Sequence, residues 1–156
     1  LSYDLKAVVA DNGLLTSVST KLSSARIAGL RHGLALMPIT DALLTVLGAE
    51  SQVRRPGFWS LTAGFDQLLG EWSKSGPVAY VESEYFGGVG EENAAVWRNG
   101  SIVLGPLHLL EGETAPAEGT PVCRALRELG VTASAAQDEF TIVGLGDHRD
   151  GEDWLS

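Results

Sequence analysis

Cysteine is almost missing from this chain: Cys123 stands alone. That excludes an internal disulfide and a cysteine-rich zinc site, and it fits a reducing, cytoplasmic setting. Long apolar runs are missing too. The longest apolar-rich stretch, Gly33 to Ile39, falls far short of the ~20 residues that span a bilayer, so no membrane partner is expected. The first residues, Leu-Ser-Tyr-Asp-Leu-Lys, lack the apolar core of a signal peptide, and a leader removed before Leu1 stays open. Basic residues are scarce, with 11 Lys and Arg against 20 Asp and Glu for a net charge of −9. Residues 1–110 carry ten acids and eight bases, net −2, whereas residues 111–156 carry ten acids and three bases, net −7. Phosphate binding needs lysine and arginine, so a nucleic-acid partner is not expected. Solubility alone accounts for an acidic surface. A protein partner with a basic surface is the functional alternative, because opposite fields steer encounter.

Catalytic signatures are missing as well. Gly87-Gly88-Val89-Gly90 has no Gly-Lys-Ser/Thr continuation, and Asn93 stands where a dinucleotide fingerprint needs its third glycine. Glu91 and Glu92 directly after it would repel a phosphate, so a strand bend is the simpler reading. The acidic run from Asp147 to Asp153 breaks the EF-hand pattern. No paired-histidine zinc motif or nucleophile elbow occurs. No cofactor, metal or catalytic residue is therefore assigned. Cys123, near the start of a helix, reads as a small buried hydrophobe. A nucleophilic role would require His32, His108 or His148 beside it.

What is present is an ordinary globular composition, 156 residues with 44% hydrophobic and 20% charged, enough for one domain with a core. There is no repeat or low-complexity segment. Tyr3 to Ala10 reads as a strand, closed by Asp11-Asn12-Gly13, with Asp11 or Asn12 capping a helix through Leu14, Leu15, Val18 and Leu22. Short strands follow at Ala25 to Leu30 and Leu34 to Pro38. Thr40 caps a helix carrying Leu43, Leu44 and Leu47, stopped by Gly48. Glu50 to Leu61 is a loop bearing Arg54, Arg55, Phe58 and Trp59. Thr62 caps the clearest helix, with Phe65, Leu68, Leu69 and Trp72 on one face.

Pro77 to Leu107 then reads as three strands. Val78 to Phe86 alternates, so Glu82 and Glu84 share a face with Tyr80 and Phe86. Asn93 to Arg98 is the second strand, Asn99-Gly100 a type I′ hairpin turn, and Ser101 to Leu104 the return. Thr120-Pro121 opens a helix lined by Val122, Leu126 and Leu129. Phe140 to Val143 reads as a last short strand, with Trp154 and Leu155 as anchors in a polar tail. The fold expected is one α+β domain over residues 1–156: a mainly antiparallel sheet of five to seven strands with three to four helices packed on one face.

Glu82 and Glu84, with Cα atoms roughly 6.6 Å apart by strand rise, have a separation compatible with paired-carboxylate or hard-metal chemistry. Any polar strand face produces the same spacing. A small hydrolase or metal-dependent enzyme using Glu82, Glu84 and one histidine is one reading; a structural subunit, monomeric or homodimeric through a sheet edge, is another. The leading expectation is a non-enzymatic binding protein. Its contacts would be Glu82 and Glu84, Glu91 and Glu92 beyond the bend, and the C-terminal acids Asp147, Asp150, Glu152 and Asp153. Aromatic residues exposed beside them would complete an interface hot spot.

The segment Tyr85-Phe86-Gly87-Gly88-Val89-Gly90, with Ala95-Val96-Trp97 after it, resembles a family of small uncharacterised bacterial proteins. The likeness is best over Val78 to Leu107 and implies no activity or site residue. In general build the chain also resembles immunity proteins that neutralise bacterial toxins. That likeness implies an acidic inhibitor seated on a toxin's basic surface.

Overall fold

A computed structural model describes residues 2–47 and 53–155. The predicted stop at Gly48 and the start of the loop at Glu50 lie outside them. Six antiparallel strands form one sheet: β1 (Ser2–Asp11), β2 (Ala28–Gly29), β3 (Leu34–Pro38), β4 (Val78–Phe86), β5 (Val89–Arg98) and β6 (Ser101–Leu109). Their order is β2-β3-β1-β4-β5-β6. The helices are α1 (Asn12–Ser19), α2 (Asp41–Leu47), α3 (Ala63–Trp72), α4 (Pro121–Glu128) and α5 (Glu139–Val143). The result is a single α+β domain, as expected from the sequence.

The expectation of helices on one face is corrected. Both faces are covered, because both alternating sets of strand residues are apolar in the middle of the sheet. Val8, Ala10, Met37, Val78, Tyr80 and Trp97 point to a core closed by Leu15, Leu43, Phe65 and Leu69 of α1, α2 and α3. Ala7, Val9, Leu36, Ala79, Val81 and Val96 point to a second core closed by Val122, Ala125 and Leu126 of α4 and Val143 of α5. Runs such as Ala7-Val8-Val9-Ala10, in which every residue is buried, are the mark of a strand covered on both sides.

The predicted caps form. Asp11 accepts from the Leu14 amide, Thr62 from Phe65 and Thr120 from Cys123, and the Thr40 hydroxyl accepts from Leu43 at 3.2 Å. Each satisfies an amide that the first turn leaves without a partner. Phe140 to Val143 is helix rather than strand. Asp138 accepts the Thr141 amide at 2.9 Å, and this cap outweighs the β preference of Thr141, Ile142 and Val143. The glycine-rich bend is a two-residue hairpin turn. Phe86 pairs with Val89, and Gly87 and Gly88 both have positive φ, 61° and 84°. The second strand therefore starts at Val89, four residues earlier than expected. Asn99 and Gly100, with φ of 52° and 89°, form the type I′ turn read from the sequence.

Candidate functional site

Beyond the apolar middle of the sheet, at the β4–β5 hairpin, the strands carry polar residues, and the two faces differ in what they do. On the first face Lys6, Glu82, Asn93 and His108 stand in one cross-strand row. Glu82 is fully buried. Its Oε1 accepts from the Trp59 amide at 2.8 Å and from Asn93 Nδ2 at 3.0 Å. Its Oε2 accepts from the Ser60 amide at 2.8 Å and from the Tyr80 hydroxyl at 2.6 Å. Four donors on two oxygens match an acceptor-only carboxylate and offset the cost of burying it. Burial, and then the adjacent Glu82 carboxylate, push the Tyr80 hydroxyl pKa well above its ordinary value of 10.0, so Tyr80 stays a donor.

Glu82 thus clamps the loop before α3 onto the end of the sheet. The loop is tied again by the Arg55 amide to the Leu61 carbonyl at 2.6 Å and by the Arg55–Asp66 ion pair. Phe58 packs on Tyr80 and His108, with ring centroids 6.0 and 5.1 Å apart. The clamp also orients a histidine. Asn93 gives its amide nitrogen to Glu82, so its oxygen faces His108 Nδ1 at 2.8 Å. That oxygen only accepts, so Nδ1 is the ring nitrogen that donates to it.

One position further out the same face becomes a row of carboxylates. Asp4 pairs with Glu84, and Glu84 pairs with Glu91. Asp150 bridges to Asp4 on the other side, held by the Asp4 amide donating to the Arg149 carbonyl at 2.7 Å. Beside the row are two grooves. One, about 330 Å³, is lined by Trp59, Glu84, Phe86, Val89, Gly90, Glu91 and Glu111. Phe86 there is 77% exposed and Val89 49%. The other, about 210 Å³, gathers Asp4, Asp41, Asp150 and Glu152 around Lys6. Like charges directly opposite each other on a sheet destabilise it, so the row costs the fold stability.

The structure brings four of the predicted contact residues together on this face, Glu84, Glu91, Asp150 and Glu152. It corrects two others. Glu82 is internal, as described. Glu92 is 5% exposed and points to the opposite face, where its oxygens take the Tyr85 hydroxyl at 2.6 Å and the Val122 amide of α4 at 2.9 Å. Neither offers a free carboxylate to a partner, and Glu82 and Glu84 do not meet in a common cavity. Asp147 is held by Arg31 at 3.4 Å. Asp153 opens a short 3-10 turn, where its amide bonds Asp150 Oδ1 at 2.8 Å. Asp4, Asp41 and Glu111 were missed. Strand alternation gave a signal for Asp4, since Tyr3 to Ala10 already placed it on the face of Lys6. The packing of the start of α2 and of the loop after β6 placed the other two.

Cys123 is buried, and burial raises its thiol pKa above the ordinary 9.0, as for a core side chain. Among the described residues no group of three His, Cys, Asp or Glu side chains is arranged to hold a metal ion. No described helix is long and apolar enough to cross a membrane. Comparison with protein-family models, with curated proteins and with solved structures finds no match.

Proposed function

We propose that this chain is a non-enzymatic binding protein whose acidic face covers a basic surface on a protein partner. The most specific form of this reading is an immunity protein that neutralises a bacterial toxin. The observation that supports it is the carboxylate row Asp150–Asp4–Glu84–Glu91 beside exposed Phe86 and Val89. A fold that keeps like charges in register gives up stability there, and a partner's Lys and Arg recover it. The apolar residues supply area that desolvates on contact, and the charges speed and orient the encounter. A second copy is a poor occupant, because acids would face acids. The buried clamp at Glu82 serves this function by holding Trp59 at the groove wall.

Co-expression with any toxin domain found encoded beside this chain's gene tests the reading. The chain relieves the toxicity, and the pair Glu84→Lys and Glu91→Lys abolishes relief while the protein stays folded. Relief that survives the charge reversal, or no relief at all, refutes the proposal.

A further inference from the structure

The second face of the sheet carries a pocket that the acidic face does not use. It lies between β1, β4 and β5 below and the first turns of α4 and α5 above, with a volume of about 370 Å³. Tyr3, Tyr85 and Phe140 form its aromatic walls, and Ser83, Glu92 and Asp138 supply its polar atoms. We propose that this pocket binds a small organic cation, an alkyl- or arylammonium ion.

Three features carry the inference. The aromatic walls are fixed in place. Tyr3 and Tyr85 pair across β1 and β4, Tyr3 meets Phe140 edge to face at 5.5 Å and 62°, and the two hydroxyls are tied to the Leu145 carbonyl at 2.8 Å and to Glu92 at 2.6 Å. Aromatic walls attract cations through the negative faces of their rings. The charge in the pocket is also of one sign, since Glu92 and Asp138 line it and no lysine or arginine does. Asp138, which caps α5 through Oδ1, is an exposed residue of the pocket lining.

The third feature is Ser83. It is 2% exposed and lines the pocket, yet among the described residues its hydroxyl has no hydrogen-bond partner. The hydroxyl is not sealed away, since among the described residues the fully buried side-chain polar atom without a partner is Trp154 Nε1; it opens on the pocket, where a ligand N–H can reach it. Burial also raises the Tyr3 and Tyr85 hydroxyls above the ordinary 10.0 and the Cys123 thiol above 9.0, which keeps all three neutral beside the carboxylates.

An anion does not suit the pocket. The start of α4 has its donors engaged already, because the Val122 amide bonds Glu92 at 2.9 Å, the Cys123 amide bonds Thr120 at 3.3 Å, and Pro121 has none. A neutral apolar guest would strip water from the exposed Asp138 carboxylate without replacing it.

Amide NMR titration of the whole chain with benzylammonium chloride, benzyl alcohol and benzoate at constant ionic strength tests the proposal. Benzylammonium is expected to give saturable shifts at Ser83, Glu92 and Cys123, and to bind at least about tenfold tighter than the isosteric alcohol. Ser83→Val, which fills the floor with methyl groups, removes the response. N-acetyl-lysine amide carries the same ammonium on an aliphatic stem. If it is the tighter probe, the natural source is a partner's lysine side chain; if benzylammonium is tighter, the source is a free amine. Equal binding of alcohol and ammonium, tighter binding of benzoate, or no saturable shift at these residues overturns the inference. The carboxylate row lies on the opposite face, so failure here leaves the proposed function standing.

Discussion

Replacing Glu82 by glutamine exchanges one carboxylate oxygen for an NH2 group and tests the clamp directly. The wild-type carboxylate accepts four hydrogen bonds, two on each oxygen, and each oxygen takes one rigid backbone amide, Trp59 or Ser60. Glutamine has one acceptor oxygen and one NH2. If the NH2 replaces Oε2, the Tyr80 hydroxyl can turn to accept from it, but the Ser60 amide cannot. If it replaces Oε1, Asn93 can flip and the Trp59 amide is stranded. Either orientation leaves one backbone N–H unsatisfied in the interior, at about 1–3 kcal/mol. The remaining bonds lose their charge assistance, about 1 kcal/mol more in sum. A destabilisation of about 2–4 kcal/mol follows. For a chain of this size that lowers Tm by about 5–15 °C.

Urea denaturation followed by circular dichroism measures the loss. Hydrogen exchange of the Trp59 and Ser60 amides locates it, since both should lose protection before the strands do. Glu82→Ala, which strands all four donors and opens a cavity, should cost more than the glutamine variant. Lys6 stands opposite Glu82 in the sheet and lines the neighbouring groove, while the four groups that donate to the Glu82 carboxylate are neutral dipoles. A glutamine variant within 1 kcal/mol of wild type, or more stable than it, would show that the four donors do not offset burial of the charge. The clamp argument would then fail.

Three further outcomes are expected. Glu84→Gln removes a like-charge contact with both Asp4 and Glu91, so thermal unfolding should show unchanged stability or a gain of about 0.3 kcal/mol, while affinity for a basic partner falls at least about fivefold; a clear loss of stability would contradict the row. Gly90→Ala would bring a Cβ to 1.9 Å from the Glu84 carbonyl oxygen, so the hairpin must shift and stability should drop by about 2–4 kcal/mol, which chemical denaturation reads directly. All three tyrosines and Cys123 have hydroxyl or thiol pKa values raised by burial from 10.0 and 9.0. The unfolded chain therefore releases these protons first. Stability is full below pH 9 and declines as pH rises through 9 to 10 and beyond; absorbance at 295 nm should show tyrosinate appearing only together with unfolding.

Much of the architecture was legible locally. Asp11, Thr40, Thr62 and Thr120 announce helix starts because a side-chain oxygen beside free amides is a contact made within three residues. Asn99-Gly100 announces its turn because both positions need positive φ. Phe140 to Val143 misled, since β-branched residues speak for strand and the decisive cap, Asp138, sits just outside the segment. Gly90 misled differently. Its glycine is required by the close approach of the neighbouring strand at Glu84, not by a bend of its own backbone.

The acidic excess, the alternation along Val78 to Phe86 and the presence of glutamates on one strand face belong to the amino-acid order itself, because charge and period-two geometry need no partner. Whether a given glutamate meets water is not local. Glu82 and Glu84 are two residues apart on the same face, yet one is sealed under Trp59 and Ser60 and the other lies open in a groove. A loop more than twenty residues earlier in the chain makes that difference, and it is held there by the carboxylate it covers. The row Asp150–Asp4–Glu84–Glu91 is likewise a product of register, which joins both ends of the chain to the central hairpin. Sequence determined how many carboxylates the protein has, and tertiary packing decided which of them stand together in the exposed row.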